Sequence, residues 1–232
     1  MNSYASYTRG TAEPIKAIAH SRRFHQAARI IGALPTDTVL DYGCADAHLF
    51  SVLGDVKERA GYDPDPNMLA QIAPELRGIV QTFNNLDDLL GKRRFSLIVC
   101  MEVCEHLTDV ALDQLFSNIR TLAAPEATIV FGVPIETGLS GFFKSLYRIA
   151  NGGRQSASVA NALKSLFRLK ITRKETDVEW YGSHTGFDYA DLRGRIEGSG
   201  FRVRRSRCLP LPVLGSILNN EIYFVCSVTE LG

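Results

Sequence analysis

The sequence lacks the marks of a secreted or membrane-inserted chain. No uncharged apolar run in its 232 residues reaches the eighteen or so that span a bilayer. The start, M-N-S-Y-A-S-Y-T-R-G, has no apolar core of a signal peptide, so neither secretion nor insertion is expected. Net charge is nearly absent as well. Lys and Arg number 26 against 25 Asp and Glu, a formal +1, so bulk electrostatics gives no reason to expect a nucleic-acid partner. Cysteines are few and odd in number: Cys44, Cys100, Cys104, Cys208 and Cys226, mostly inside apolar runs. They read as reduced, buried thiols rather than a disulfide framework, and the expected location is cytoplasmic. There is no internal repeat and no low-complexity tract. What is present is an ordinary globular balance, 45% apolar and 22% charged, with length for one domain over 1–232.

Apolar runs alternate with helical patterns along most of the chain. Residues 12–32 fit an amphipathic helix, with Ile15, Ile18, Ala19, Ala27, Ile30 and Ile31 recurring at three or four. Strands are expected at 38–42, up to 62–63, at 78–83, 95–101, 127–133, 201–208 and 221–228. Helices are expected from the turn at 43–47 to 53, over 66–73, 108–123 and 188–199. The run 95–101 is continuously apolar, as parallel strands buried on both faces are. No helix separates the last two strands, so they should close the sheet as an antiparallel hairpin. The fold class is α/β: a doubly wound, mostly parallel seven-stranded sheet with an antiparallel last strand.

In such sheets a ligand sits at the carboxyl ends of the strands. The first strand and its turn read V-L-D-Y-G-C-A-D-A, with alanines where a glycine-rich turn would carry glycine. Alanine is tolerable there where φ stays negative. Asp41 and Asp46 at the mouth of this turn disfavour a pyrophosphate, because like charges about 4 Å apart cost roughly 1–4 kcal/mol at surface-like dielectrics. The same carboxylates suit a cationic ligand. Asp63 ends the second strand, placed to accept hydrogen bonds from both hydroxyls of a ribose. A ribose beside positive charge describes S-adenosylmethionine (SAM); the bland alternative makes Asp41 and Asp63 turn or cap residues.

Four segments carry a resemblance: V-L-D-Y-G-C-A-D-A, A-G-Y-D-P-D-P-N-M-L, F-S-L-I-V-C-M-E-V-C-E-H-L and the late S-G-F-R-V. In this order they resemble class I SAM-dependent methyltransferases over about 34–133 and 184–228. The resemblance implies SAM as cofactor over the first turn. Gly43, Cys44, Ala45 and Asp41 would hold its methionine part and Asp63 its ribose. Pro64, Met101 and Asn84 are the remaining expected cofactor contacts, Asn84 beside the adenine.

Glu102, Glu105 and His106 follow the fourth strand. If 102–106 is helical, all three share one face and can move a proton or, less favoured, bind a divalent cation. A similar E-x-x-E-H occurs in methyltransferases resembling the quinone-biosynthesis O-methyltransferases and the small-RNA 2′-O-methyltransferases; in the latter the triplet helps bind metal. His184, in Y-G-S-H-T-G-F-D-Y, is a second candidate base. The bland alternative is that E-H-L begins a helix and His184 lines a pocket.

From 137 to 174 there are eight basic residues and no acidic one. This stretch reads as a helical insertion or lid, apolar inward and solvated outward. An amphipathic basic pair is also suited to peripheral membrane contact through 139–174. The apolar loop at 209–220 would extend a pocket mouth or fill the core. The expected activity is methyl transfer to a hydroxyl of a small or lipid-like acceptor. RNA or polysaccharide methylation and a catalytically silent SAM-binding module are the alternatives, and nicotinamide chemistry fits poorly.

Overall fold

The computed structural model describes residue 25 and residues 27–32, 34, 37–150, 158–173 and 180–229. Seven strands form one sheet: β1 (Thr38–Tyr42), β2 (Glu58–Tyr62), β3 (Gln81–Phe83), β4 (Phe95–Met101), β5 (Ala123–Pro134), β6 (Phe201–Leu209) and β7 (Glu221–Val228). Their order is β3-β2-β1-β4-β5-β7-β6. The β1–β2, β1–β4 and β2–β3 pairs are parallel, and β6 and β7 are antiparallel. The helices bounded among the described residues are α1 (Pro66–Leu69), α2 (Asp109–Leu122), α3 (Gly138–Ala150), α4 (Val159–Leu166) and α5 (Tyr189–Gly198). The doubly wound α/β expectation is the fold observed. Most of the expected helix over 12–32 lies outside the described residues, as do Gly152, Gly153, Arg154 and Lys174; residues 25 and 27–31 are helical.

Two expected helices are shorter than their patterns. After β1 only a single 3-10 turn forms, His48–Ser51. Ala47 precedes it in a left-handed conformation and has no side chain to cap the free N–H groups. Helix α1 starts where Asp65 accepts from the Asn67 amide, and Pro74 then biases Ala73 away from helix. The third strand begins late because Gly78, at φ +90, belongs to a turn.

The described chain divides into two compact units. The first contains β1–β4 as far as Cys100, together with Asn118–Val130; the second contains Met101–Ser117 and the residues from Phe131 onward.

In the first unit Val39, Leu40, Ala60, Leu97, Ile98 and Val99 are fully buried on neighbouring parallel strands. β1 and β4 are tied at their starts by reciprocal bonds. The Thr38 amide donates to Ser96 Oγ (3.0 Å) and the Ser96 amide to Thr38 Oγ1 (2.9 Å). At the other end the Gly43 and Cys44 amides both donate to the Tyr62 carbonyl. This brings the first turn against β2, where a Cβ on Gly61 would lie 2.7 Å from Cys44 Sγ. Cys44 is one of five free cysteines. Burial, reinforced by Asp41 and Asp63, pushes its thiol far above the ordinary range, so it serves packing rather than reaction.

The second unit is built around Phe116, Phe131 and Phe201, whose rings meet at 5.6–5.9 Å. Each such pair adds about 0.5–1.5 kcal/mol beyond the area it buries. Glu136, just past β5, is buried and accepts two bonds from the Arg148 guanidinium and one from Lys144 Nζ. Burial works to raise its pKa, but the two cations outweigh it and hold Glu136 below the ordinary carboxylate value. Two basic side chains of α3 therefore turn toward the protein. Of the apolar face expected to turn inward on α3, Phe142 and Ile149 are half-buried while Phe143 and Leu146 are exposed. Ser140, Gly141 and Ser145 of α3 are its buried residues, whereas Leu139, Phe143, Leu146 and Tyr147 are exposed.

Gly61→Ala should destabilise the protein by about 1–3 kcal/mol through overpacking against Cys44. Cys44→Ala in the same chain should recover part of that loss, because the sulfur is the nearest clash. A double-mutant cycle from urea denaturation checks both; additive losses would remove the contact from the account.

Candidate active site

The first unit gathers the expected cofactor residues other than Met101 at the carboxyl ends of β1, β2 and β3. Asp41 is buried within β1, and among the described residues no cation pairs with it. Desolvation raises its pKa to about 7, and the Asp63 charge adds to the rise. Asp63 also titrates above the ordinary value because of burial, although bonds from the Asp65 and Ala45 amides pull it back. Its Oδ2 accepts from the Ala45 amide and its Oδ1 from the Asp65 amide, both at 2.9 Å. Each oxygen keeps a second lone pair for a further donor.

The turn departs from its expected geometry. Gly43 takes φ +85, and Ala45 and Ala47 take φ 47 and 57. The alanines thus adopt the left-handed conformation, which costs a residue bearing a Cβ about 1–2 kcal/mol. The Gly43, Cys44 and Ala45 amides are already engaged, by the Tyr62 carbonyl and by Asp63. The carboxylates, rather than these three amides, are left to meet a ligand. Pro64 and Asn84 are exposed just past β2 and β3, and Met101 is buried at the end of β4.

The second unit brings together Glu105, His106 and His184. One ligand atom from each lies within 4.8 Å of the others. The expected helix over 102–106 reduces to a 3-10 turn, Cys104–His106. Glu102 precedes it at φ 58 with its amide on the Gly132 carbonyl, so the left-handed backbone takes it off any common helical face. Glu102 is not part of the three-residue group.

Three residues that the sequence did not single out hold this group. His106 stacks on Trp180 at 4.4 Å with ring planes 3° apart, and His184 meets it edge-on at 4.6 Å. His106 Nδ1 lies 2.7 Å from the Tyr181 carbonyl. A carbonyl only accepts, so Nδ1 carries the proton and Nε2 the lone pair. Nε2 is 3.9 Å from Glu105 Oε1, and Glu105 is fully buried. Arg173 then ties both histidine segments together. Its guanidinium lies 3.9 Å over the Tyr181 ring and donates to the carbonyls of Glu105 and Ser183. The aromatic pair Trp180–Tyr181, three residues ahead of His184, was the available signal for this arrangement.

Both imidazoles are held neutral. Burial lowers His106, and the Arg173 charge adds to that against the bond to Tyr181. Burial and the neighbouring His106 lower His184 to about 4, with Glu136 offsetting part. Neutral imidazoles beside a carboxylate, one of them with its tautomer fixed, can accept a proton or ligate a cation.

A family model for the methyltransferase domain matches residues 18–203. The chain belongs to the methyltransferase-domain family. This agrees with the four motifs, which resemble class I SAM-dependent methyltransferases. Solved structures similar to this methyltransferase include magnesium protoporphyrin IX methyltransferase from Synechocystis with bound S-adenosylhomocysteine (TM-score 0.60, 14% identity, 97% of this chain and 91% of that one). A SAM-dependent methyltransferase from Clostridium acetobutylicum is similar at TM-score 0.60 and 13% identity, covering 97% and 96%. Another, from Leishmania major, reaches 0.63 and 15%, covering 98% and 78%. At these identities the likeness is one of fold. A sequence search of curated proteins finds no match.

The lowered pKa of His184 sets a pH dependence. An unfolded histidine titrates near 6.5, so between about 6.5 and 4 the unfolded chain binds the extra proton. His184 therefore contributes full stability above that window, and the contribution is lost as pH falls through it. The urea midpoint should drop on acidification across this range, less so in His184→Gln. An imidazole signal from His184 titrating at its ordinary value would contradict the assignment.

Proposed function

We propose that this methyltransferase carries a methyl group from SAM to a hydroxyl oxygen of a small or lipid-like acceptor. Asp41 and Asp63 hold the donor, and the His106–His184 pair takes the hydroxyl proton. The donor supplies an electrophilic methyl on a sulfonium. The first unit's residues fit such a molecule by the chemistry of their donors. Two repelling carboxylates, one poised near pH 7, are stabilised in their ionised form by a cation. The lone pairs remaining on Asp63 suit ribose hydroxyls. Cys44, Ala45, Pro64, Asn84 and Met101 keep their places in the proposal as further contacts. The similar Synechocystis and Clostridium structures are those of methyltransferases, the former holding S-adenosylhomocysteine, which is consistent with SAM as cofactor here. A small-molecule acceptor is in keeping with the porphyrin substrate in the Synechocystis enzyme's name.

The observation that carries the proton role is the fixed tautomer of His106. Its Nδ1–H is committed to the Tyr181 carbonyl, which leaves Nε2 unprotonated beside His184. Arg173, bonded to the carbonyls of Glu105 and Ser183, keeps both histidine segments in place.

A second reading has one observation of its own. The Nε2 lone pair and a buried carboxylate oxygen stand 3.9 Å apart, an arrangement that a shared divalent cation would reconcile. Glu105, His106 and His184 would be its ligands, and the cation would assist ionisation of the hydroxyl.

Transfer from labelled SAM to phenolic and lipid hydroxyls tests both readings. His106→Gln and His184→Gln should each lower turnover at least about a hundredfold while binding S-adenosylhomocysteine as the parent does. A chelator should leave the parent active if the histidines act as bases. If it abolishes activity, and a divalent ion restores it, the second reading holds. Near-full activity in both variants overturns the histidine role.

A further inference from the structure

We propose that the second unit carries a docking surface for an anionic lipid bilayer, made by α3, α4 and the loop 210–220. The inference deepens the lipid-like half of the functional reading, but rests on the surface alone and not on the chemistry of transfer. No helix among the described residues is long and apolar enough to cross a membrane, so the contact is peripheral.

The helix pair is built inside out. The residues α3 and α4 bury are small: Ser140, Gly141 and Ser145 on one, Ala162 and Ser165 on the other. Close approach is required there, because a Cβ on Gly141 would fall 2.0 Å from the Glu136 carbonyl. Most of the large apolar side chains are left outside, with Phe142, Ile149 and Leu166 half-buried. Phe143 is 53% exposed, Leu163 47% and Phe167 68%, with Tyr147 and Val159 also exposed. An amphipathic helix serving only a protein core places such residues inward.

The loop after β6 adds to the same surface. Val213 is 92% exposed and Ile217 54%, and Leu211, Leu214 and Leu218 are also exposed. These side chains are not presented by a slack loop. Asn219, fully buried, accepts from the Leu211 amide at 2.6 Å and donates to the carbonyls of Leu211 and Gly215. Its own carbonyl accepts from Ser140 Oγ at 2.6 Å, and the next carbonyl, of Asn220, accepts from Lys144 Nζ. The loop is thereby pinned to the first turns of α3, and the two apolar elements adjoin. Monomeric proteins in water seldom expose apolar patches of this extent without a partner.

Charge decides the partner. Neither 137–174 nor 198–220 contains an aspartate or glutamate. Lys144 and Arg148 are spent on Glu136, but Lys164 and Lys170 remain beside the apolar faces. The edge strand β6, which leads into the loop, carries Arg202, Arg204, Arg205 and Arg207. Apolar side chains flanked by cations match the acyl and headgroup layers of an anionic leaflet. A second copy would set cation against cation, and aliphatic projections such as Val213 and Ile217 offer a nucleic acid nothing to stack on.

Flotation of the full chain with phosphatidylcholine vesicles, with and without phosphatidylglycerol, tests the surface. Binding to the anionic vesicles at low salt should exceed that to neutral ones at least about tenfold and weaken at high salt. Val213→Asp with Ile217→Asp should lower it about tenfold or more with an unchanged melting temperature, since both side chains project into solvent. Lys164→Ser with Lys170→Ser should remove part of the anionic preference. Absence of flotation, or retention in the Asp variant, overturns the proposal. So does a salt-sensitive complex with RNA, or a self-associated form in sedimentation that the Asp variant dissolves, if either occurs without vesicle binding.

Discussion

The structure depends first on two carboxylates that repel one another. Asp41 on β1 and Asp63 at the end of β2 are brought together by parallel pairing of the two strands, whose register continues through Tyr42 and Tyr62. Burial and mutual repulsion hold Asp41 at about 7, far from where an isolated aspartate titrates. A fold gains nothing in stability from such a pair: ionising Asp41 in the free protein works against the folded state as pH rises toward 7. The surrounding turn is costly too, with Ala45 and Ala47 in left-handed backbone and Gly61 yielding its Cβ to Cys44. Strain and like charge at one strand end are explained together if the region is shaped for a cationic nucleoside.

The second unit has a different logic. Several of its charged groups are paired within the protein rather than left for a ligand. Glu136 is neutralised by two cations of α3, and Arg173 is stacked on Tyr181 and bonded to two carbonyls. The consequence is that the segment read as basic turns part of its charge inward and its hydrocarbon outward. The same internal ion pairs that anchor α3 thus create the apolar surface beyond it.

Much of this was legible in the sequence. The run 95–101 and the pair of closing strands were set by their apolar patterns, and β4 and β7 have those bounds. The placement of Asp41 and Asp63 followed from strand ends. What could not be read was local backbone and long-range pairing. Nothing in G-C-A-D-A announces that both alanines adopt positive φ, and nothing in E-V-C-E-H announces that Glu102 leaves the helical face. The contacts of His106 with Trp180 and of Arg173 with the Glu105 carbonyl join residues far apart in the chain, which periodicity does not encode. The orientation of α3 was misleading for a related reason. Its buried partner for Lys144 and Arg148 is Glu136, a charge outside the helix itself.

Calorimetric titration of S-adenosylhomocysteine between pH 6 and 8 tests the central claim most directly. If Asp41 meets the ligand's ammonium, binding draws its proton off, so affinity should rise about tenfold from pH 6 to 8, with a proton released to buffer near pH 7. Asp41→Asn should bind more weakly and lose that slope. Affinity independent of pH with no proton released, or an unchanged profile in Asp41→Asn, would contradict the account.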